Sequence, residues 1–325
     1  MVQVILIGVS AGAAAALLFA SVASGSPLSV PLFYLAPLPI LIAAIGWSHW
    51  AALIAGLVAT SGLAAAFGGF FFLTFLAGVA LPAWWLGYLA LLARPVAGDA
   101  PGTLEWYPTG HLVFWAALIA AGVVAAGMLS AGGDLDGFRH SLRVGLERML
   151  NPQQSGGAAP SSAPTVDLDQ QPALLNFLVA VLPPAAAILN TLTNVINLWL
   201  AERIVKISGR LQRPSGDLSA MRFPSYAPAL AAAAVVAAFL PGLIGVYAGL
   251  LAASLMMAYA ILGFAVLHAI TRGRGGRPFA LGGAYVAVLI FGWPVIVMSL
   301  VGLADTAFDL RGRAARRRQP TNSHS

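Results

Sequence analysis

Three asparagines lie close together in residues 190–203, NTLTNVINLWLAER, a stretch that is otherwise apolar enough to cross a bilayer. At about 100° per residue in an α-helix, Asn190, Asn194 and Asn197 fall within about 60° of one another. A carboxamide that faces lipid is costly, so this face must meet protein or water. It can form hydrogen bonds between helices, or it can line a polar cavity that binds or conducts a solute.

Asn176 extends the same face if the helix keeps its phase through Pro183 and Pro184. Adjacent prolines remove backbone hydrogen bonds and can rotate the two halves of a helix, and transporters use such breaks to present carbonyl groups to ligands. His268 lies near the end of another apolar segment, where it can be interfacial or can line a cavity. The candidate substrate-binding residues are therefore Asn176, Asn190, Asn194, Asn197 and His268.

Patterns for catalysis or metal binding are weak. The chain has no cysteine, and its five histidines lack metal-type spacing. Asp-Leu-Asp occurs at 134–136 and 167–169, but Asp134 is better explained as a helix cap and the second copy lies in a linker. Residues 8–12 match G-x-S-x-G without the strand-to-helix turn that this motif needs, and no P-loop precedes Lys206. We therefore predict no enzymatic activity, no cofactor and no metal ion.

The first apolar segment carries small residues at every fourth position, which lets another helix approach closely. The partner is either a helix of the same chain or a separate membrane subunit. These candidate packing or docking residues are Gly8, Gly12, Ala16, Ala20 and Ser24.

The composition predicts a protein that crosses the lipid bilayer several times. The chain is 59% hydrophobic and 9% charged, whereas soluble domains carry about 25% charged residues. Residues 1–93 contain no Asp, Glu, Lys or Arg. The net charge of +6 comes from arginines beside apolar segments, which is typical of cytoplasmic loops and does not indicate nucleic-acid binding.

We predict an all-α bundle of eight or nine transmembrane helices plus one amphipathic interfacial helix. The apolar segments are 4–23, 31–46, 48–66, 69–93, 111–131, 173–200, 224–241, 243–270 and 279–304. The division is N-terminal membrane helices at 1–133, the amphipathic helix at 134–150, a disordered linker at 151–172, C-terminal membrane helices at 173–310 and a basic disordered tail at 311–325.

Arginine-rich loops at 203–222 and 272–277 belong in the cytoplasm, which places the N-terminus there as well. One further crossing would put the basic tail outside, against the same rule. The last segment is interrupted near Trp293 and Pro294, so it either turns back or carries the tail across.

Three strings resemble a bacterial membrane-protein family that is known only as domain of unknown function number 2232. They are Leu32-Phe33-Tyr34-Leu35-Ala36-Pro37-Leu38-Pro39, Gly263-Phe264-Ala265-Val266-Leu267-His268, and Gly302-Leu303-Ala304-Asp305 with Asp309-Leu310-Arg311. That family is similar, at superfamily level, to the substrate-binding subunits of energy-coupling-factor importers. Those subunits are six-helix bundles whose small-residue face on helix 1 docks a coupling subunit driven by ATPases. Ala16-x-x-x-Ala20 matches that face, but this chain has more spans and no vitamin-specific motif.

We therefore expect a bacterial inner-membrane protein that binds or transports a solute and has no ATPase of its own. A membrane coupling subunit with ATPases is the partner that the resemblance implies. One alternative is a structural scaffold of the cell envelope, in which the asparagines only pack helices. A membrane-embedded enzyme acting on lipids is disfavoured, because the spans contain no cluster of carboxylates or histidines.

Overall fold

The computed structural model describes residues 1–96, 104–132, 135–150, 172–214, 216 and 220–316. The α-helices in chain order are α1 (Val2–Ala20), α2 (Ser29–Tyr34), α3 (Pro37–Gly46), α4 (His49–Phe67), α5 (Gly69–Phe75), α6 (Leu81–Ala90), α7 (Thr109–Gly132), α8 (Leu135–Leu150), α9 (Pro172–Ile207), α10 (Ala227–Ala237), α11 (Gly242–Thr271), α12 (Arg277–Phe291), α13 (Pro294–Phe308) and α14 (Leu310–Arg316). A 3₁₀ turn (Ser21–Ser24) follows α1, and a π-helical turn (Leu76–Ala80) joins α5 to α6.

The all-α membrane bundle is confirmed. Within the described residues, seven helical stretches are long and apolar enough to cross a bilayer. They are Val2–Ser24, Ser29–Gly46, His49–Phe67, Gly69–Ala90, Thr109–Gly132, Asn176–Ile207 and Gly242–Thr271. The protein is thus a multi-pass membrane protein whose apolar helices contact lipid. Three shorter apolar helices, α10, α12 and α13, do not reach that length.

The chain also forms a small antiparallel hairpin, β1 (Ala93–Pro95) and β2 (Leu104–Trp106), which the composition did not predict. The predicted linker and the far end of the basic tail, residues 317–325, lie outside the described residues, except that α9 already begins at Pro172.

The first helix packs along α4 in parallel. A Cβ atom at Gly8 would lie 2.7 Å from the Ile54 Cβ atom, and one at Gly12 would lie 2.6 Å from the Ala55 carbonyl oxygen. Two backbones therefore touch here, and only glycine fits. The buried face of α1 continues through Ala15 and Phe19.

The small-residue pattern of α1 does not stay on one face. A four-residue repeat drifts by about 40° per step, because an α-helix has 3.6 residues per turn. Ala16 and Ala20 are accordingly half-buried at the edge of the core, and Ser24 is exposed. The helix of the same chain, α4, occupies the contact that Gly8 and Gly12 make.

The centre of the bundle holds α7, α9 and α11. Helices α7 and α11 are antiparallel, because Val113 and Phe114 share a buried cluster with Tyr259 and Leu262, while Ala121 and Met128 share another with Leu250. The start of α7 and the end of α11 therefore lie at the same end of the bundle.

The last two apolar helices differ in how they attach. Helix α12 buries none of its residues, whereas α13 packs tightly on α11. A Cβ atom at Gly263 would overlap the Met298 carbonyl, and one at Gly302 would overlap the Tyr259 carbonyl. Ser299 adds a hydrogen bond from its hydroxyl to the Met256 carbonyl at 2.7 Å.

Helix α12 begins and α13 ends at one end of the bundle. Arg277 follows shortly after the end of α11, and at the close of α13 Asp309 accepts a bond from Arg222 at 3.3 Å. Arg222 itself lies against the start of α7, because a Cβ atom at Gly110 would overlap the Arg222 carbonyl. The α12–α13 pair thus enters the bundle and returns.

Most of the positive charge lies at this same end, called the basic end below. Its described members are Arg94, Arg203, Lys206, Arg210, Arg213, Arg222, Arg272, Arg274, Arg277, Arg311, Arg313 and Arg316. Trp47, after α3, also lies there, with the Arg210 guanidinium 4.8 Å from its ring. The amphipathic helix α8 follows the far end of α7, so its Arg139 and Arg143 lie at the opposite end.

Candidate functional site

A cavity of about 250 Å³ lies in the half of the bundle away from the basic end. We call it the asparagine cavity. Its polar wall comes from Asn190, Asn194 and Thr193 of α9 and Thr74 of α5. Its aromatic wall comes from Phe19, Phe33 and Tyr34, and the remaining lining is Pro37, Gly78, Val79, Val124, Ala186 and Leu189.

Two interruptions of regular helix border the asparagine cavity. One is the break between α2 and α3, where Tyr34 and Pro37 line the wall. The other is the π-helical turn, which contributes Gly78 and Val79. Irregular backbone inside a membrane is tolerated only where protein or a water-filled cavity satisfies it, and π-turns are frequent at functional sites.

Asn190 and Asn194 act as a pair. The Asn194 Nδ2 group donates a hydrogen bond to the Asn190 Oδ1 atom at 2.8 Å. Asn194 is only 2% exposed, whereas Asn190 is half-buried. The pair presents hydrogen-bonding groups at the cavity wall without a charge, which suits a site that must discriminate solutes by hydrogen bonds.

Asn197 has a different role, because it does not line the cavity. Its Nδ2 group donates to the Tyr34 carbonyl and to the Thr193 carbonyl, both at 2.8 Å. The Tyr34 carbonyl lacks a helical donor, since Pro37 has no N–H and the Leu38 N–H donates to Leu35. Asn197 therefore holds the α2–α3 break against α9, and its own Oδ1 atom is buried without a partner.

Asn176 lies apart from the other asparagines. It lines a larger groove of about 710 Å³, together with Pro183 and Pro184 of α9, the start of α11 and Phe138 and Arg139 of α8. Helix α9 stays continuous through both prolines. The structure thus joins Asn190 and Asn194 in one cavity and leaves Asn176 in another.

His268 is also remote from the asparagine cavity. One of its ring nitrogens, Nε2, lies 3.0 Å from the Tyr285 hydroxyl of α12. The Tyr285 ring also stacks on Phe264 at 4.7 Å between centroids. These contacts attach α12 to α11, so the geometry gives His268 a packing role at the basic end.

Nothing in the sequence marked the aromatic side of the cavity as part of a site, although Phe33 and Tyr34 belong to one of the strings that carry the family resemblance. Phe19 and Phe33 have ring centroids 4.8 Å apart, and Phe19 also meets Phe75 at 5.1 Å. Aromatic residues are common throughout apolar helices, so only the tertiary structure distinguishes these. Thr74 was equally inconspicuous, because threonine side chains usually bond within their own helix, as Thr74 does to the Phe70 carbonyl.

Arg213 is buried and hydrogen-bonded at the basic end. In the sequence it served only to indicate which loops are cytoplasmic. In the structure its side chain is 6% exposed, and it donates hydrogen bonds to the Ala90 carbonyl at 3.4 Å and to the Thr109 hydroxyl at 3.2 Å. Burial lowers the pKa of its guanidinium, and the Glu202 carboxylate raises it. The residue ties the loop before α10 to α6 and α7.

Comparisons of this chain with protein-family models, with curated proteins and with solved structures give no match. The relationship that the three strings suggest is therefore a hypothesis below. In the described residues, no group of three or more His, Cys, Asp or Glu side chains is placed to hold a metal ion.

Proposed function

We propose that this protein is the solute-binding subunit of a membrane transport system, with the asparagine cavity as its binding site. The observation that carries this proposal is the Asn190–Asn194 pair, joined at 2.8 Å in a cavity bordered by the α2–α3 break and the π-helical turn. Broken helices and polar side chains near the middle of a bilayer form the ligand sites of many transporters.

The orientation follows from the positive charge. The basic end belongs in the cytoplasm of a bacterial inner membrane, because loops rich in Arg and Lys stay there. The N-terminus then lies inside, since α1 runs parallel to α4 and α4 begins beside Trp47. The segment between Arg222, at the basic end, and Gly242, at the opposite end, includes the short helix α10, and we propose that it returns the chain across the membrane. The α12–α13 pair then re-enters without crossing. The asparagine cavity consequently lies in the outer half of the bundle.

The sequence contains no P-loop, so the proposed subunit has no ATPase motif of its own. A membrane coupling subunit with ATPases is the partner that the resemblance implies. The Gly8 and Gly12 contact is occupied by α4, so such a subunit would use another surface.

A structural scaffold is the second candidate, and Asn197 favours it. Asn197 bonds one backbone carbonyl of another segment, Tyr34, and one of its own helix, Thr193. In a structural scaffold, all the asparagines would have such purely structural bonds. The two functions differ in whether water reaches Asn190 and Thr193.

Single cysteines test this difference directly, because the chain has none. Thr193→Cys and Asn190→Cys should react with a neutral water-soluble thiol reagent in native membranes. Ala187→Cys on the same helix is the control, because Ala187 is fully buried and does not line the cavity. If positions 190 and 193 are as inert as position 187, the cavity is dry and the scaffold replaces the transport subunit.

A further inference from the structure

Among the residues that the structure describes, none that lines the asparagine cavity carries an amine, guanidinium, imidazole or carboxylate group. The polar side chains of this described lining are carboxamides and hydroxyls, including the Tyr34 phenol. An ion that enters such a site gives up part of its hydration without gaining an opposite charge, which is unfavourable. The chemistry of the wall therefore selects against charged solutes.

The polar and apolar walls also have distinct shapes. Phe19, Phe33 and Tyr34 form an aromatic cluster in which Phe19 and Phe33 are tilted by 37° and the edge of one of the Phe33 and Tyr34 rings meets the face of the other, at 82° and 5.4 Å between centroids. The carboxamide pair lies on α9. The bond between Asn194 and Asn190 engages one amide hydrogen and one oxygen lone pair of the several that two carboxamides possess. A bound molecule would meet the faces and edges of aromatic rings on one side and both donor and acceptor groups on the other.

We propose that the asparagine cavity takes a small uncharged solute with a planar apolar ring and an amide-like edge. This inference rests on the proposed function and specifies its substrate class. The volume of about 250 Å³ limits the solute to a small ring compound, because sites for drug-sized ligands are about 300–1,000 Å³.

The experiment compares three methanethiosulfonate reagents of one frame on Thr193→Cys: the neutral hydroxyethyl, the anionic sulfonatoethyl and the cationic trimethylammonioethyl compounds. Each rate is divided by the rate at Ser26→Cys, an exposed position at the end opposite the basic end. This ratio removes the intrinsic reactivity of each reagent. We expect both charged reagents to be slower than the neutral one by about tenfold or more, a difference of about 1.4 kcal/mol.

Protection tests the ring and the edge. Benzamide should slow the reaction of the neutral reagent with Thr193→Cys, whereas benzoate and benzylammonium, which keep the ring but carry a charge, should not. Adding Asn194→Leu should abolish the protection by benzamide. Ala186→Cys, at an exposed position in the same wall, provides a second site if Thr193→Cys fails to fold.

Each result has a distinct meaning. Equal normalised rates for charged and neutral reagents overturn the uncharged class and leave the proposed function standing. Neutral selectivity without protection by benzamide overturns the planar amide-like solute. If no reagent reaches position 193 or 186 in folded protein, the proposed function fails along with this inference.

Discussion

At the scale of single residues, three asparagines on one helical face perform two tasks. The spacing predicted that they share a face, and Asn190 and Asn194 do meet at 2.8 Å. The spacing could not predict that Asn197 bonds Tyr34, because that partner is 163 positions away. The Tyr34 carbonyl lacks a helical donor only because of the break between α2 and α3. Periodicity gives direction around a helix, whereas the partner depends on what lies opposite.

The division between these asparagines predicts unequal stabilities. Asn197→Leu leaves the Tyr34 carbonyl buried without its donor, which should cost about 1–3 kcal/mol. Asn190→Leu should cost clearly less, because water in the cavity can replace the lost partner of Asn194. Thermal unfolding of both variants in detergent measures this, and equal losses would show that the cavity is dry.

Two ion pairs of equal length offer a second comparison. Arg311 and Asp305 meet at 2.7 Å with side chains 12% and 3% exposed, whereas Arg94 and Glu105 meet at 2.7 Å with 79% and 51% exposed. Removing one partner of a buried pair costs about 3–5 kcal/mol, because the remaining buried charge loses its opposite charge. Exposed pairs contribute about 0–1 kcal/mol.

Asp305→Ala should therefore lower the melting temperature strongly, and Arg94→Ala should leave it nearly unchanged. The same detergent unfolding experiment serves both. A small loss in Asp305→Ala would mean that α14 detaches and hydrates Arg311 without disturbing the bundle.

At the scale of elements, most helices could be read from hydropathy, while their contacts could not. Most predicted segments lie within a few residues of the helices, because long apolar runs have few alternatives in a bilayer. The exceptions are 173–200, whose helix continues to Ile207, and 279–304, which forms the two helices α12 and α13. The strings that carry the family resemblance gain physical meaning only in the fold. One contains the α2–α3 break, and the others supply the glycines of the α11–α13 contact and the Asp305–Arg311 pair.

The α11–α13 contact predicts a sharp dependence on a single methyl group. Gly263→Ala would overlap the Met298 carbonyl, and forcing extra volume into such a contact costs about 1–3 kcal/mol. Gly282→Ala on α12 is the matched control, because no atom lies within 4 Å of the new Cβ atom. The control should be neutral or slightly stabilising, since alanine favours helix over glycine.

Thermal unfolding in detergent measures the loss of stability in the two variants. Thiol labelling of a cysteine on α13 tests whether the α11–α13 contact has opened. A cysteine at Ser299, which is 1% exposed, should become reactive in Gly263→Ala and stay inert in Gly282→Ala. If both backgrounds leave position 299 unreactive, the helices absorb the methyl group by a small shift.

At the scale of the whole molecule, the fold shows that most of the described arginines and the lysine lie at one end of the bundle. Counting hydrophobic segments left the side of the tail open, because a crossing by residues 279–304 would put the tail outside and a turn within them would not. Hydropathy reports whether a helix prefers lipid and carries no information on whether it turns back. The bond between Arg222 and Asp309, 87 positions apart, supplies that information. Apart from α8, every described arginine and the single lysine then lie at one end.

This arrangement predicts the location of the C-terminus. A green fluorescent protein fused after Ser325 should fluoresce in intact bacterial cells, and alkaline phosphatase at the same position should be inactive, because both report a cytoplasmic tail. Cysteines at Ser208, beside Lys206, and at Ser26 provide internal references for the basic end and its opposite. An impermeant thiol reagent should label Ser26→Cys in whole cells and reach Ser208→Cys only after permeabilisation. A dark fluorescent fusion with active phosphatase would mean that α12 and α13 together cross the membrane, which the contact of Asp309 with Arg222 does not permit in this fold.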